Sequence, residues 1–191
     1  MPRLVDHHVR REEIARAAAI AVAAHGIEAV TTADLAVQAG CTVGALPHYF
    51  RGKEAILLAS LQYARRSVEA RAARAFEASE GSLVDTLSAA LPINAAARRD
   101  CQVWMAFSGR ALHSKSIAGE YRRRYQDLEA RSLFLFASRR LPRGWNPPLV
   151  AENVFAFLDG LGIRALVEGR AWSASRLSGA LRRHLALLGL E

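Results

Sequence analysis

No run of this 191-residue sequence alternates apolar and polar residues over the length of a strand. Alanine, leucine and arginine dominate instead, and all three are strong helix formers. Glycines and prolines punctuate apolar stripes that recur every three or four residues. The pattern predicts an all-α chain of about nine helices. They fall at 6–24, 31–39, 43–50, 53–78, 82–97 with a bend at Pro92, 101–112, 116–140, 147–168 and 174–188. Asn146 is placed to cap the helix that opens on Pro147.

The stretch "TTADLAVQAGCTVGALPHYFRGKEAI" (31–56) reads as two short helices joined by a turn at Gly40. Thr31 and Asp34 have the spacing of a capping box, and Thr42 can cap the next helix. Leu46 and Phe50, four apart, face inward with Leu35 and Ala36. Thr42, Val43, Ala45, His48 and Tyr49 are left for the other side. A short helix with small and polar residues outward is what a major groove admits. Gly44 lets the backbone come close to phosphates, and amides at a helix N-terminus bind phosphate without a lysine. The candidate DNA contacts are Arg11, Thr31, Thr32, Thr42, Val43, Gly44, Ala45, Pro47, His48, Tyr49 and Lys53, with Arg10 beside Arg11. Pro47 either stiffens and redirects the recognition helix or is tolerated because the helix is short and can tighten into 3₁₀ geometry.

The formal net charge of +8 does not itself argue for nucleic acid. Residues 1–54 carry six basic and six acidic side chains, so the excess lies in 55–191. "RRR" at 122–124 spreads over too wide an arc for one patch and reads as a solvated surface.

Residues 9–58 resemble the DNA-binding domain of TetR-family (tetracycline repressor) regulators. Thr31, Leu35, Ala36, Ala39, Gly40, Thr42, Gly44, Leu46, Tyr49, Phe50, Lys53 and Ile56 fall at matching positions. Cys41 replaces a common valine, Val43 a frequent lysine, Ala33 a frequent arginine and Pro47 the usual tyrosine. The resemblance implies that this tyrosine touches phosphate, so one such contact is missing here. It also implies a domain division at 1–52 and 53–191, the second part dimerising and holding a small-molecule pocket. "CQVWMAFSGRALHSKSIAGEYRRRY" and "NVFAFLDGLGIRALVEGRAW" are similar to the choline/betaine-responsive branch.

The helix at 147–168 is apolar nearly all round, so it must be covered on more than one side. The expected two-fold interface uses Val150, Val154, Phe157, Leu161 and Ala165, with Leu177, Leu181, Leu185 and Leu188 from the last helix. For the pocket the candidates are Trp104, Met105, Phe107, His113, Tyr121, Phe134, Phe155 and Asp159. Each of these is equally at home in an ordinary core. An aromatic cage with Asp159 would suit a cationic ligand.

No segment is apolar enough to span a membrane, and the N-terminus lacks a signal peptide's apolar run. A cytoplasmic location is expected. Cys41 and Cys101 read as reduced, half-buried thiols. The six histidines show no metal spacing, and no nucleotide or nucleophile motif occurs, so neither metal nor cofactor is expected. The reading is a homodimeric, ligand-responsive repressor binding a palindromic operator. Its rivals are a module of the same fold that has lost specific DNA binding and, further off, an all-helical enzyme.

Overall fold

The computed structural model describes residues 6–137, 141 and 143–190, without the side chains of 129, 131–134 and 137. Among the described residues there are eight α-helices, two short 3₁₀ helices and no strand. They are α1 (His7–His25), α2 (Thr32–Gln38), a 3₁₀ helix (Val43–His48), α3 (Lys53–Ala78), α4 (Leu83–Ser88), α5 (Ala95–Ala111), α6 (Lys115–Ala137), α7 (Pro147–Glu168), a 3₁₀ turn (Gly169–Ala171) and α8 (Ala174–Leu187). None of the described helices is long and apolar enough to cross a membrane.

Two cores hold the chain together. The first forms around α1, whose middle is buried on several sides through Ile14, Ala15, Ala17, Ala18, Ala19, Ala21 and Val22. Alanines let α3 and α5 approach α1 closely, since a methyl group adds little to the interaxial distance. Leu35, Leu46, Phe50, Ile56 and Leu61 fill the space on one side; Val103, Trp104, Phe107, Ile117 and Tyr121 fill it on another. Packing therefore crosses residue 52 without a break. Each fully buried large side chain contributes about 1.5–3 kcal/mol relative to exposure.

The second core joins α4, α7, α8 and Phe136 of α6. Val150, Ala151, Val154, Leu177, Leu181 and Leu185 have no exposed surface there. This corrects the expected interface. Val150, Val154, Leu161, Ala165, Leu177, Leu181, Leu185 and Leu188 are all buried within the chain itself; only Phe157 of that set is half-buried. The all-round apolar pattern hid which stripe faced inward. The outward row of α7 is Leu149, Ala156, Gly160, Ile163 and Val167, at alternating four- and three-residue steps after Ala156.

A second correction concerns residues 82–97. The expected single helix with a bend is two elements: α4 ends at Ser88, and α5 starts at Ala95 instead of 101. Pro92 lies between them. A residue before proline is steered out of the helical region, and Asn94 then restarts the helix by accepting the Ala97 N–H at 2.9 Å on its side-chain oxygen.

Candidate nucleic-acid interface and the pocket behind it

The helix-turn-helix is set by local chemistry. The Thr31 hydroxyl oxygen accepts the Asp34 N–H at 3.2 Å, and Asp34 Oδ2 accepts the Thr31 N–H at 2.7 Å. Both halves of the capping box therefore form. The Thr31 hydroxyl, which also donates to Asp34 Oδ2 at 2.7 Å, and after it the Thr31 N–H hold the Asp34 carboxyl below its usual pKa. Gly40 makes the turn with φ of 59°. Cys41 N–H then bonds the Ala36 carbonyl at 3.0 Å.

The recognition segment is 3₁₀ over its whole length, Val43–His48, not only at its end. Pro47 has no N–H to give to Val43 or Gly44, which removes an internal bond from either kind of helix. Thr42 takes the capping position in an extended conformation, but its side chain makes no capping bond. Leu46 and Phe50 are 2% and 4% exposed, so the inward assignment holds. Thr31, Thr42, Val43, Gly44, Pro47 and His48 are exposed; Thr32, Ala45, Tyr49 and Lys53 are half-buried.

Basic side chains from the start of α1 secure both short helices by their carbonyl ends. Arg10 Nη2 donates to the Ala39 and Gly40 carbonyls at 3.0 and 3.4 Å, just past the end of α2. Its other nitrogen holds Glu13 at 2.5 Å, which raises its pKa. Arg11 Nη1 donates to the Tyr49 carbonyl, and its guanidinium lies 4.3 Å from the centre of the Phe50 ring. His7 Nε2 lies 3.1 Å from the His48 carbonyl oxygen, its ring 5.0 Å from that of Tyr49. Carbonyls at a helix C-terminus carry partial negative charge and favour the two guanidinium groups. Arg10 and Arg11 are thus partly committed to the protein's own backbone, a role the sequence pattern alone did not indicate.

Behind this layer lies a cavity of about 40 Å³ between α3, α5, α6 and α7. Of the predicted pocket residues it brings together Trp104, Met105 and Asp159. Tyr121 stacks on Trp104 with ring centres 3.8 Å apart and donates its hydroxyl to the Trp104 carbonyl. Phe107 is fully buried in the first core. Phe155 faces a separate open groove with Phe76, Leu87 and Leu135, and His113 is exposed at the α5–α6 turn. Phe134 falls outside the described side chains.

The sequence reading missed Arg65, Asp100, Cys101 and Arg124, which also line the cavity. Arg122 and Arg123 are solvated as expected, but Arg124 turns inward, its guanidinium carbon 3.5 Å from the centre of the Trp104 ring. Burial lowers its pKa, and nearby Asp159 opposes that fall. Burial pushes the Cys101 thiol up to about 12, so it is inert. The available signal was spacing: Trp104 is four residues from Asp100, and Arg124 three from Tyr121. Among the described residues no group of His, Cys, Asp or Glu could hold a metal.

Residues 14–60 match the family described as bacterial regulatory proteins, tetR family, and 79–189 match the BetI-type transcriptional repressor C-terminal family. The chain belongs to the TetR family. It is 30% identical to the HTH-type transcriptional regulator BetI of Serratia proteamaculans, over 92% of this chain and 90% of that one. It is 26% identical to the regulator PksA of Bacillus subtilis, over 100% and 95%. A transcriptional regulator from Rhodococcus has the same fold, with a TM-score of 0.82 and 23% identity over 93% of this chain and 95% of that one. A regulator from Saccharomonospora viridis, solved in complex with choline, superposes at a TM-score of 0.71 with 22% identity over 94% and 96%. As a TetR-family member the chain is a DNA-binding transcriptional regulator with a helix-turn-helix.

Two glycines of this TetR-type domain behave differently on substitution. A Cβ at Gly40 or Gly44 meets nothing within 4 Å, but only Gly40 has a positive φ. Gly40→Ala is expected to lose about 1 kcal/mol or more. Gly44→Ala is expected to keep full stability or gain up to about 1 kcal/mol. Urea unfolding midpoints of the two variants check this.

Proposed function

We propose that this TetR-family protein is a homodimeric repressor whose 3₁₀ helix, Val43–His48, enters the major groove of each half of a palindromic operator. The observation that carries the reading is the bare, outward-facing Gly44 on a short helix fixed to α1 from behind. Its surroundings offer Thr42, Val43, Ala45, Pro47, His48 and Tyr49 to the groove, with Thr31, Thr32 and Lys53 at the flanks. Backbone amides near Gly44 supply phosphate contacts where the family's frequent lysine is absent. The reading is of a regulator acting on cytoplasmic DNA and not of a catalyst.

The dimer face in this proposal is the outward row of α7. Ile163 is 44% exposed and Val167 80%, four residues apart on one face of α7, and Leu187 at the other end of the α7–α8 pair is 85% exposed. Exposed apolar side chains aligned along a helix face in this way suit an interaction site. His184, one turn from Leu187 on α8, stacks on Phe157 at 3.9 Å and leaves its buried Nε2 without a partner among the described residues. A symmetric pairing of α7 and α8 covers this surface and sets two recognition helices at a fixed separation, as an inverted repeat requires.

The cavity around Trp104 is the proposed effector site. The choline-bound relative supports a small-molecule effector. Trp104, Phe107 and Tyr121 share one core with Leu46 and Phe50. Glu54 accepts from Ser116 at 2.8 Å and Glu28 from Arg110 at 3.3 Å, tying the DNA-binding layer to the ends of α5 and α6. A ligand that moves α5 or α6 changes the placement of the helix-turn-helix and favours a dimer with poor operator affinity.

A gel-shift titration with the DNA upstream of the protein's own gene tests the reading at two salt concentrations. Specific, salt-sensitive retardation is expected. Gly44→Ala is expected to weaken it roughly tenfold. Lys53→Ala should reduce the salt slope by about one, whereas Arg11→Ala should weaken binding with the slope unchanged, because its guanidinium is held on the Tyr49 carbonyl and over the Phe50 ring. Loss of slope in both variants would make Arg11 a phosphate contact instead.

For the dimer, light scattering of the wild type is expected to give about twice the chain mass of 20.8 kDa. Ile163→Glu is expected to give the monomer mass with an unchanged helical circular-dichroism spectrum. A monomeric wild type contradicts the assignment.

A further inference from the structure

The cavity between α3, α5, α6 and α7 is walled by charged groups with unspent hydrogen-bonding capacity. Arg124 is held by the face of Trp104 at 3.5 Å, and its guanidinium makes no hydrogen bond to a described residue. Arg65 gives Nη1 to Glu69 at 2.9 Å and to Asp127 at 3.5 Å, while its buried Nε has no partner. Across from them Asp100, its side chain 1% exposed, takes Arg71 Nη1 at 2.7 Å on Oδ2 and leaves Oδ1 unpartnered. Asp159, in contrast, already accepts the Tyr125 hydroxyl at 2.6 Å. A buried donor or acceptor left unpaired costs free energy that a fitting ligand restores.

We infer that this cavity takes a small zwitterionic amino acid, its carboxylate paired with Arg124 and its ammonium donating to Asp100 Oδ1. This inference deepens the effector-site reading above and rests on it. A guanidinium presents a planar fork that matches a carboxylate. A ligand with no net charge adds no uncompensated charge to a site already lined by two acids and two bases, Asp100, Asp159, Arg65 and Arg124.

The same geometry rejects a fully methylated ammonium. A quaternary nitrogen has no hydrogen to give Asp100 Oδ1, the buried acceptor left unpartnered among the described residues. At about 40 Å³ the cavity has room for little more than water, so the ligand enters as Arg124 leaves the indole. Arg124 is the wall best able to move, because it is held by stacking and not by hydrogen bonds. Its departure uncovers Trp104, which belongs to the core supporting Phe50 and Leu46.

Isothermal titration calorimetry of the full-length protein with glycine, L-alanine, β-alanine, γ-aminobutyrate, glycine betaine and choline tests the inference. At least one of the four amino acids is expected to bind with a Kd of about 1 mM or tighter. It should bind about tenfold more tightly than glycine betaine or choline. Arg124→Gln should lose about tenfold for that amino acid and gain affinity for choline, with Arg124→Lys between the two. Circular dichroism verifies that each variant folds. The inference is overturned if none of the four amino acids binds the wild type, if choline binds more tightly than all of them, or if both Arg124 variants bind the amino acid undiminished. A gel shift on the same preparations separates the cases. Specific retardation released by choline leaves the repressor reading standing and removes this ligand class, whereas absence of any specific retardation removes the repressor reading itself.

Discussion

The close packing of α1 against three neighbours is the constraint on which the rest of the structure depends. Its buried surface is mostly alanine, with Ile14 and Val22 as the larger groups. Small side chains bring α3, α5 and α2 near one axis, so a single core reaches from Phe50 to Tyr121. The N-terminal turns of α1, which lie beyond this core, carry Arg10, Arg11 and His7 to the ends of the two short helices. A helix of six or seven residues is not stable alone. Here α2 and the 3₁₀ helix are held because one long helix both buries their apolar sides and meets their carbonyl ends.

That arrangement makes the two halves of the molecule mechanically continuous. Trp104 is at once a wall of the cavity and a member of the core beneath the recognition helix. Interiors at this density transmit displacement instead of absorbing it. The α7–α8 layer has its own core and supplies the proposed dimer face, so a shift in α5 or α6 is read against a fixed frame.

Much of this was legible because local rules and global packing agree. Leu35, Ala36, Leu46 and Phe50 read as inward from spacing alone, and the Thr31–Asp34 pair read as a cap from chemistry alone. The start of α7 was legible from Asn146 and Pro147. Reading failed where several faces looked alike. In α7 two apolar stripes compete, and periodicity does not say which one meets the chain's own core. In 82–97 a strong N-cap at Asn94 outweighs helix propensity upstream of it. Arg124 was misplaced because charge runs are solvated by default, and only a tertiary neighbour such as Trp104 reveals the exception. Arg10 and Arg11 were placed in the right region, but their carbonyl partners lie about thirty to forty residues away in sequence.

The central claim is that α1 holds the recognition helix in place from behind. Amide hydrogen exchange across residues 43–50, compared between wild type and Arg11→Ala, tests it most directly. The amides of Tyr49 and Phe50, both bonded to the Leu46 carbonyl, should exchange about tenfold faster in the variant while those of α7 and α8 stay unchanged. Equal protection of residues 43–50 in the two proteins would show that the 3₁₀ helix stands without its clamp, and would contradict this account.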